Sequence, residues 1–72
     1  MIDTNKLLAE IYKAGYTVKT GAKAIGMPIT TFYKKMDRGV FNSDEIYEMI
    51  QIFDIKDVTE VFFVENRTKR KR

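Results

Sequence analysis

The chain has 72 residues, about half the usual length of a domain, so it forms one small domain with a thin core and a stability of about a few kcal/mol. It contains no cysteine and no histidine, which excludes disulfide scaffolds, thiolate nucleophiles, the usual general base and the common Cys and His metal sites. Thirteen basic and ten acidic residues give a net charge of +3, and 44% apolar content suits a globular chain, yet no apolar run approaches the roughly 18–20 residues of a membrane span.

Residues 4–14 carry Leu7, Leu8, Ile11 and Tyr12 at helical spacing, with Ala9 and Ala14 close by. This stripe predicts a first helix, with Gly15 as its stop. Met1 to Lys6 lacks the charged-then-apolar layout of a signal peptide. Thr17 is a candidate N-cap for a second helix carrying Ala22 and Ile25, with Gly26 as its stop. Pro28 suits the first turn of a third helix over residues 29–37, where Phe32 and Met36 share one face and Arg38-Gly39 closes it. Asn42-Ser43-Asp44-Glu45 reads as a capping box opening a fourth helix, with Ile46, Met49, Ile50 and Phe53 on one face. Asp57-Val58-Thr59-Glu60 repeats that logic for a last short helix. Val61, Phe62 and Val64 supply apolar surface to close the bundle, although Val61–Val64 also suits an extended segment. The expected core is Phe32, Met36, Phe41, Ile46, Met49, Ile50, Phe53 and Phe62, with Tyr12 and Tyr47 half-buried. The fold class is all-α with five helices.

The charges are segregated. Residues 13–38 carry +5 and residues 39–66 carry −6. Five of the last six residues, Arg67, Lys69, Arg70, Lys71 and Arg72, are basic. Without them residues 1–66 carry −2. A basic segment fits a phosphate partner, an acidic protein or a solvated disordered end. The acids Asp44, Glu45 and Glu48 read as helix N-terminal charges. Asp54, Asp57 and Glu60 read as caps, and no spacing matches a calcium loop. No acid–base pair, nucleophile or metal constellation is evident, so the expectation is a non-enzyme with no cofactor, no metal and no small-molecule substrate.

Helices two and three meet around Gly26-Met27-Pro28. Ala22 is small where two helices cross, Gly26 four positions later suits a left-handed turn, and Phe32 six positions after it pins the next helix to a core. That is the layout of a helix-turn-helix, and also of a plain αα-corner with no DNA role. On Gly15-Tyr16-Thr17, Ala22, Ile25-Gly26, Thr30-Thr31-Phe32-Tyr33, Arg38-Gly39 and Phe41 to Ile46, the chain resembles the Cro/CI-type helix-turn-helix family of phage and bacterial regulators. It is similar in particular to short phage anti-repressors that antagonise a CI repressor. The resemblance covers residues 4–64. It implies a lambda-repressor-like domain over residues 1–66, a disordered basic tail over 67–72, and a third helix that lies in the DNA major groove. It also implies the cytoplasm of a bacterial host.

The chain departs from that family at three places. Val18 stands where members place a phosphate-gripping glutamine, and Gly21 where they place a core leucine. A glycine there costs about 1 kcal/mol of helix stability relative to alanine. Pro28-Ile29 opens the base-reading helix, and isoleucine makes no bidentate hydrogen bond to a base. Val18 and Ile29 are therefore expected together on the outer face, beside Tyr33 and ringed by Lys19, Lys34 and Lys35, as an apolar patch with a charged rim. The alternative is that Val18 or Ile29 folds into the core to make up for Gly21.

Two readings follow. In the first, Val18, Lys19, Met27, Pro28, Ile29, Thr30, Tyr33 and Lys34 bind a CI-type repressor and cover its recognition helix. In the second, a Cro-type repressor contacts DNA through Lys19, Thr30, Thr31, Tyr33, Lys34, Arg67, Lys69, Arg70, Lys71 and Arg72. A hybrid adds weak DNA contact by the tail to a complex with the repressor. The patch also suits a homodimer.

Overall fold

A computed structural model describes residues 2–63, and within them the chain is all-helical and contains no strand. The order is α1 (Thr4–Lys13), α2 (Val18–Ala24), α3 (Ile29–Arg38), α4 (Ser43–Ile52) and α5 (Val58–Phe62). Val61–Phe62 is thus helical rather than extended. Val64 and residues 67–72 lie outside the described residues.

Local chemistry sets most helix starts. Asp3 caps α1, its Oδ1 accepting from the Lys6 N–H at 3.1 Å. Ile2 and Leu7, on either side of that cap, are both buried, the spacing of a hydrophobic staple. Thr17 and Thr20 form a reciprocal box at α2, each side chain accepting from the other's N–H, at 3.1 and 2.8 Å. Asn42 and Glu45 do the same at α4, at 3.0 and 2.9 Å. Each box satisfies two N–H groups that the first helical turn leaves without partners. Pro28 caps α3 with its backbone alone. At α5 the expected box is absent. Asp57 makes no side-chain capping bond, and the Glu60 carboxylate instead accepts from Lys6 Nζ across on α1.

The stops of α1 to α4 share one device, a left-handed residue that lets the chain bond back to the helix. After α2, Gly26 has φ +74°, its N–H donates to Lys23 O at 3.0 Å, and the Met27 N–H donates to Ala22 O at 2.9 Å. After α4 the same role falls to Asp54, the one non-glycine with positive φ among the described residues. The Ile55 N–H then donates to Ile50 O at 3.1 Å, which delivers Ile55 to the core.

α1 packs on α2 and α5, and α2 packs on α3. Phe32, Phe53, Leu7, Ile11, Met49 and Val61 are the largest fully buried side chains. Met36, Phe41 and Phe62 are buried as expected, whereas Ile46 and Ile50 are partly buried against that core. Ile2, Met27 and Ile55 join it, although the helical pattern did not single them out. Tyr12 and Tyr47 are corrected outward, at 58% and 63% exposed.

Gly21 leaves no hole. A Cβ on it would stand 3.2 Å from Phe53 Cζ and 3.4 Å from Ile11 Cγ2. The ring of Phe53, supplied by the end of α4, occupies the space, and Tyr16 meets that ring edge-on with centroids 5.3 Å apart. The missing side chain thus admits an aromatic ring that buries more apolar area than a methyl group.

Candidate functional site

α3 is fixed from within by Phe32 and Met36, both buried, and Phe32 lies with its ring centroid 5.5 Å from that of Phe41. Its outer side is thereby determined. Thr30 and Lys34, one turn apart, are exposed. Ile29 and Tyr33, also one turn apart, form the neighbouring row. Ile29 is half-buried and is not among the side chains packed against the core. Tyr33 is 55% exposed. Lys19 in the first turn of α2 and Pro28 at the cap of α3 are exposed as well.

Two residues expected on this outer patch are not exposed. Val18 is buried at 8% and so is Met27. Met27 follows the left-handed Gly26, and the bond from its N–H to Ala22 O sets where it enters the core. Val18 forms the floor of an open groove of about 430 Å³ lined by Thr4, Leu8, Tyr12, Val18, Tyr33, Met36 and Asp37. The Ile2 N–H donates to Gly39 O at 3.2 Å, so the start of α1 lies by the end of α3. The groove therefore runs between these two helices, from Thr4 and Asp37 at one end to Tyr12, Val18 and Tyr33 at the other. The exposed apolar surface continues from Ile29 through Tyr33 onto α1, and α2 contributes only the buried Val18 beneath it. Sequence reasoning missed the α1 share of it, because Leu8 and Tyr12 read as core-facing. Their signal was a stripe on α1 wider than one buried row needs.

Electrostatics divide the surface. Lys19, Lys23, Lys34 and Arg38 are exposed and pair with no carboxylate among the described residues. Lys35, expected on the rim, instead turns to α4 and donates to both oxygens of Glu45, at 2.8 and 2.6 Å. Burial pushes the Glu45 carboxyl up, but the Lys35 hydrogen bond, the Asn42 N–H and the Lys35 charge outweigh it and hold the group below its ordinary range. The Glu60 hydrogen bond and charge raise Lys6. The outer side of α4 presents Asp44, Tyr47, Glu48 and Gln51, all exposed.

A second cavity, of about 680 Å³, lies between the end of α1 and the turn after α4. Four of its five charged groups pair among themselves, Lys13 with Glu10 at 3.4 Å and Lys56 with Asp54 at 3.1 Å, and Asp57 is the fifth. Among the described residues no group of three His, Cys, Asp or Glu side chains is placed to hold a metal ion, and no helix is long and apolar enough to cross a membrane. Of the residues expected to touch DNA, Lys19, Thr30, Tyr33 and Lys34 are exposed and Thr31 is half-buried. Arg67, Lys69, Arg70, Lys71 and Arg72 lie outside the described residues.

The chain matches no protein-family model, no curated protein and no solved structure.

Proposed function

We propose that α2 and α3 form a helix-turn-helix whose outer face binds protein, and that the chain is an anti-repressor of a phage genetic switch. It holds a CI-type repressor through Pro28, Ile29, Thr30, Tyr33, Lys34 and Lys19, and so covers the repressor's DNA-recognition helix. The observation that carries this reading is the continuous apolar strip from Ile29 through Tyr33 to Tyr12, on the side of α3 that would otherwise read bases. An apolar centre within a charged rim is how protein interfaces concentrate their affinity. The resemblance of the sequence to the modulators of repression of lactococcal temperate phages supports the same reading. The working compartment is then the cytoplasm of the bacterial host.

The test is Ile29→Asp. Ile29 is not packed on the core, so the variant keeps its helical circular dichroism and loses over tenfold in affinity for the repressor. Unchanged affinity overturns the proposal.

One observation favours a second reading. Lys19, Thr30 and Lys34 are all exposed, as phosphate and base contacts of a Cro-type repressor would be. That reading requires operator binding by the chain alone, with a steep loss of affinity as salt is raised and a further loss when residues 67–72 are removed.

A further inference from the structure

We propose that the groove between α1 and α3 takes the outer face of α4 from a second copy of this chain. The two surfaces complement each other. The groove has an apolar floor of Leu8, Val18 and Met36 and two exposed tyrosine walls, Tyr12 and Tyr33. Lys19 and Lys34 follow Val18 and Tyr33 in sequence, are exposed, and have no carboxylate partner among the described residues. Asp37, the one acid lining the groove, is at the end away from Tyr12 and Tyr33. The outer face of α4 carries one exposed aromatic ring, Tyr47, flanked by Asp44 and Glu48 one turn apart. These acids likewise have no cationic partner among the described residues.

Seating Tyr47 between Tyr12 and Tyr33 buries three rings that are each more than half exposed in the single chain. It also brings Asp44 and Glu48 to Lys19 and Lys34, so opposite charges meet where like charges would repel. The same complementarity exists at large scale, since the basic residues of the described chain cluster in 13–38 and the acidic ones after 39. A contact of about half a dozen residues a side lies at the small end of interface sizes, so the association is weak and salt-sensitive. Tyr33 belongs to both this contact and the proposed repressor-binding strip, so the two exclude each other. Self-association then withholds the strip at high concentration. The pairing itself rests on this chain alone and does not depend on the anti-repressor reading.

Sedimentation equilibrium at low salt, from about 10 µM to about 1 mM, tests it with three samples. The wild-type chain rises above its 8.4 kDa monomer mass as concentration increases. Tyr12→Asp removes the groove wall and Tyr47→Asp removes the plug. Both positions are exposed, so both variants keep the helical circular dichroism, and each associates at least tenfold more weakly. An equimolar mixture of the two restores association, because one variant retains an intact groove and the other an intact α4 face. A wild-type chain that stays at 8.4 kDa throughout overturns the proposal. So does association that survives Tyr47→Asp, or a mixture no heavier than its parts.

Discussion

The basic segment spanning α2 and α3 and the acidic segment spanning α4 and α5 are built by the same local rules and differ chiefly on their outsides. α2 and α4 each open on a reciprocal capping box. Both close on a left-handed residue, Gly26 in one and Asp54 in the other. Inside, the two segments are interlocked, with the Phe53 ring of the acidic one seated at Gly21 of the basic one. Outside, α3 offers Ile29 and Tyr33 beside unpaired lysines, whereas α4 offers Tyr47 between carboxylates. The inside of each segment explains why the chain folds. The outside of each is where its partners must be sought.

The deepest way to break the two segments apart is Gly21→Leu, which restores the residue that the resembled family places there. The side chain has to displace Phe53 and Ile11, both essentially buried. Overpacking usually costs about 1–3 kcal/mol, and we expect the upper end of that range, or no folding, in urea denaturation. The gain of about 1 kcal/mol in helix propensity does not offset it.

A paired comparison sharpens the distinction between inside and outside on one surface. Val18→Asp places a carboxylate on a buried site and lowers stability by about 2–3 kcal/mol. Ile29→Asp changes stability by less than about 0.5 kcal/mol, as surface changes do, and costs over tenfold in repressor affinity. Equal effects of the two on unfolding would show that Ile29 is core and that the outer strip ends at Tyr33.

The polar joint between the segments is Lys35–Glu45. The folded Glu45 carboxyl is held below its ordinary value of 4.5, so the folded state binds fewer protons than the unfolded one in that range. Its contribution is complete above that value and disappears as pH falls through the folded value. Glu45→Gln keeps an acceptor for the Asn42 N–H and removes the charge. It should cost about 1 kcal/mol at pH 7 and flatten the loss of stability as pH falls below the ordinary carboxylate value of 4.5. An unchanged slope in acid would assign the loss to other carboxylates. The smallest effect expected is at Asp54, whose φ of +54° suits glycine better than aspartate. Asp54→Gly should raise stability by about 0.5–1 kcal/mol in thermal unfolding, since the exposed pair with Lys56 contributes little.

Features that depend on neighbours in sequence were legible. The Asn42–Glu45 box, the glycine stop after α2 and the Phe32–Met36 row follow from spacing alone. Features that depend on which element covers which were not. Tyr12 and Tyr47 lie on amphipathic stretches, and periodicity does not tell a covered row from an open one. The capping box expected at Asp57 fails because Lys6, 54 residues away, engages Glu60. Gly21 reads as a lost side chain until Phe53, distant in sequence, is seen at that place. The outer patch was expected around Val18 and Ile29. Its Ile29–Tyr33 half is on the surface, and its other half lies on α1 because Val18 forms the groove floor.

The outer strip of α3 is proposed to grip protein and not to read bases. The most direct test is fluorescence anisotropy of labelled switch-region DNA, first with this chain alone and then with the neighbouring CI-type repressor bound. We expect little specific binding by the chain alone at physiological salt, and a change or loss of repressor binding when the chain is added. Tight, sequence-specific binding by the chain alone, with the repressor's own binding unaffected, would contradict it.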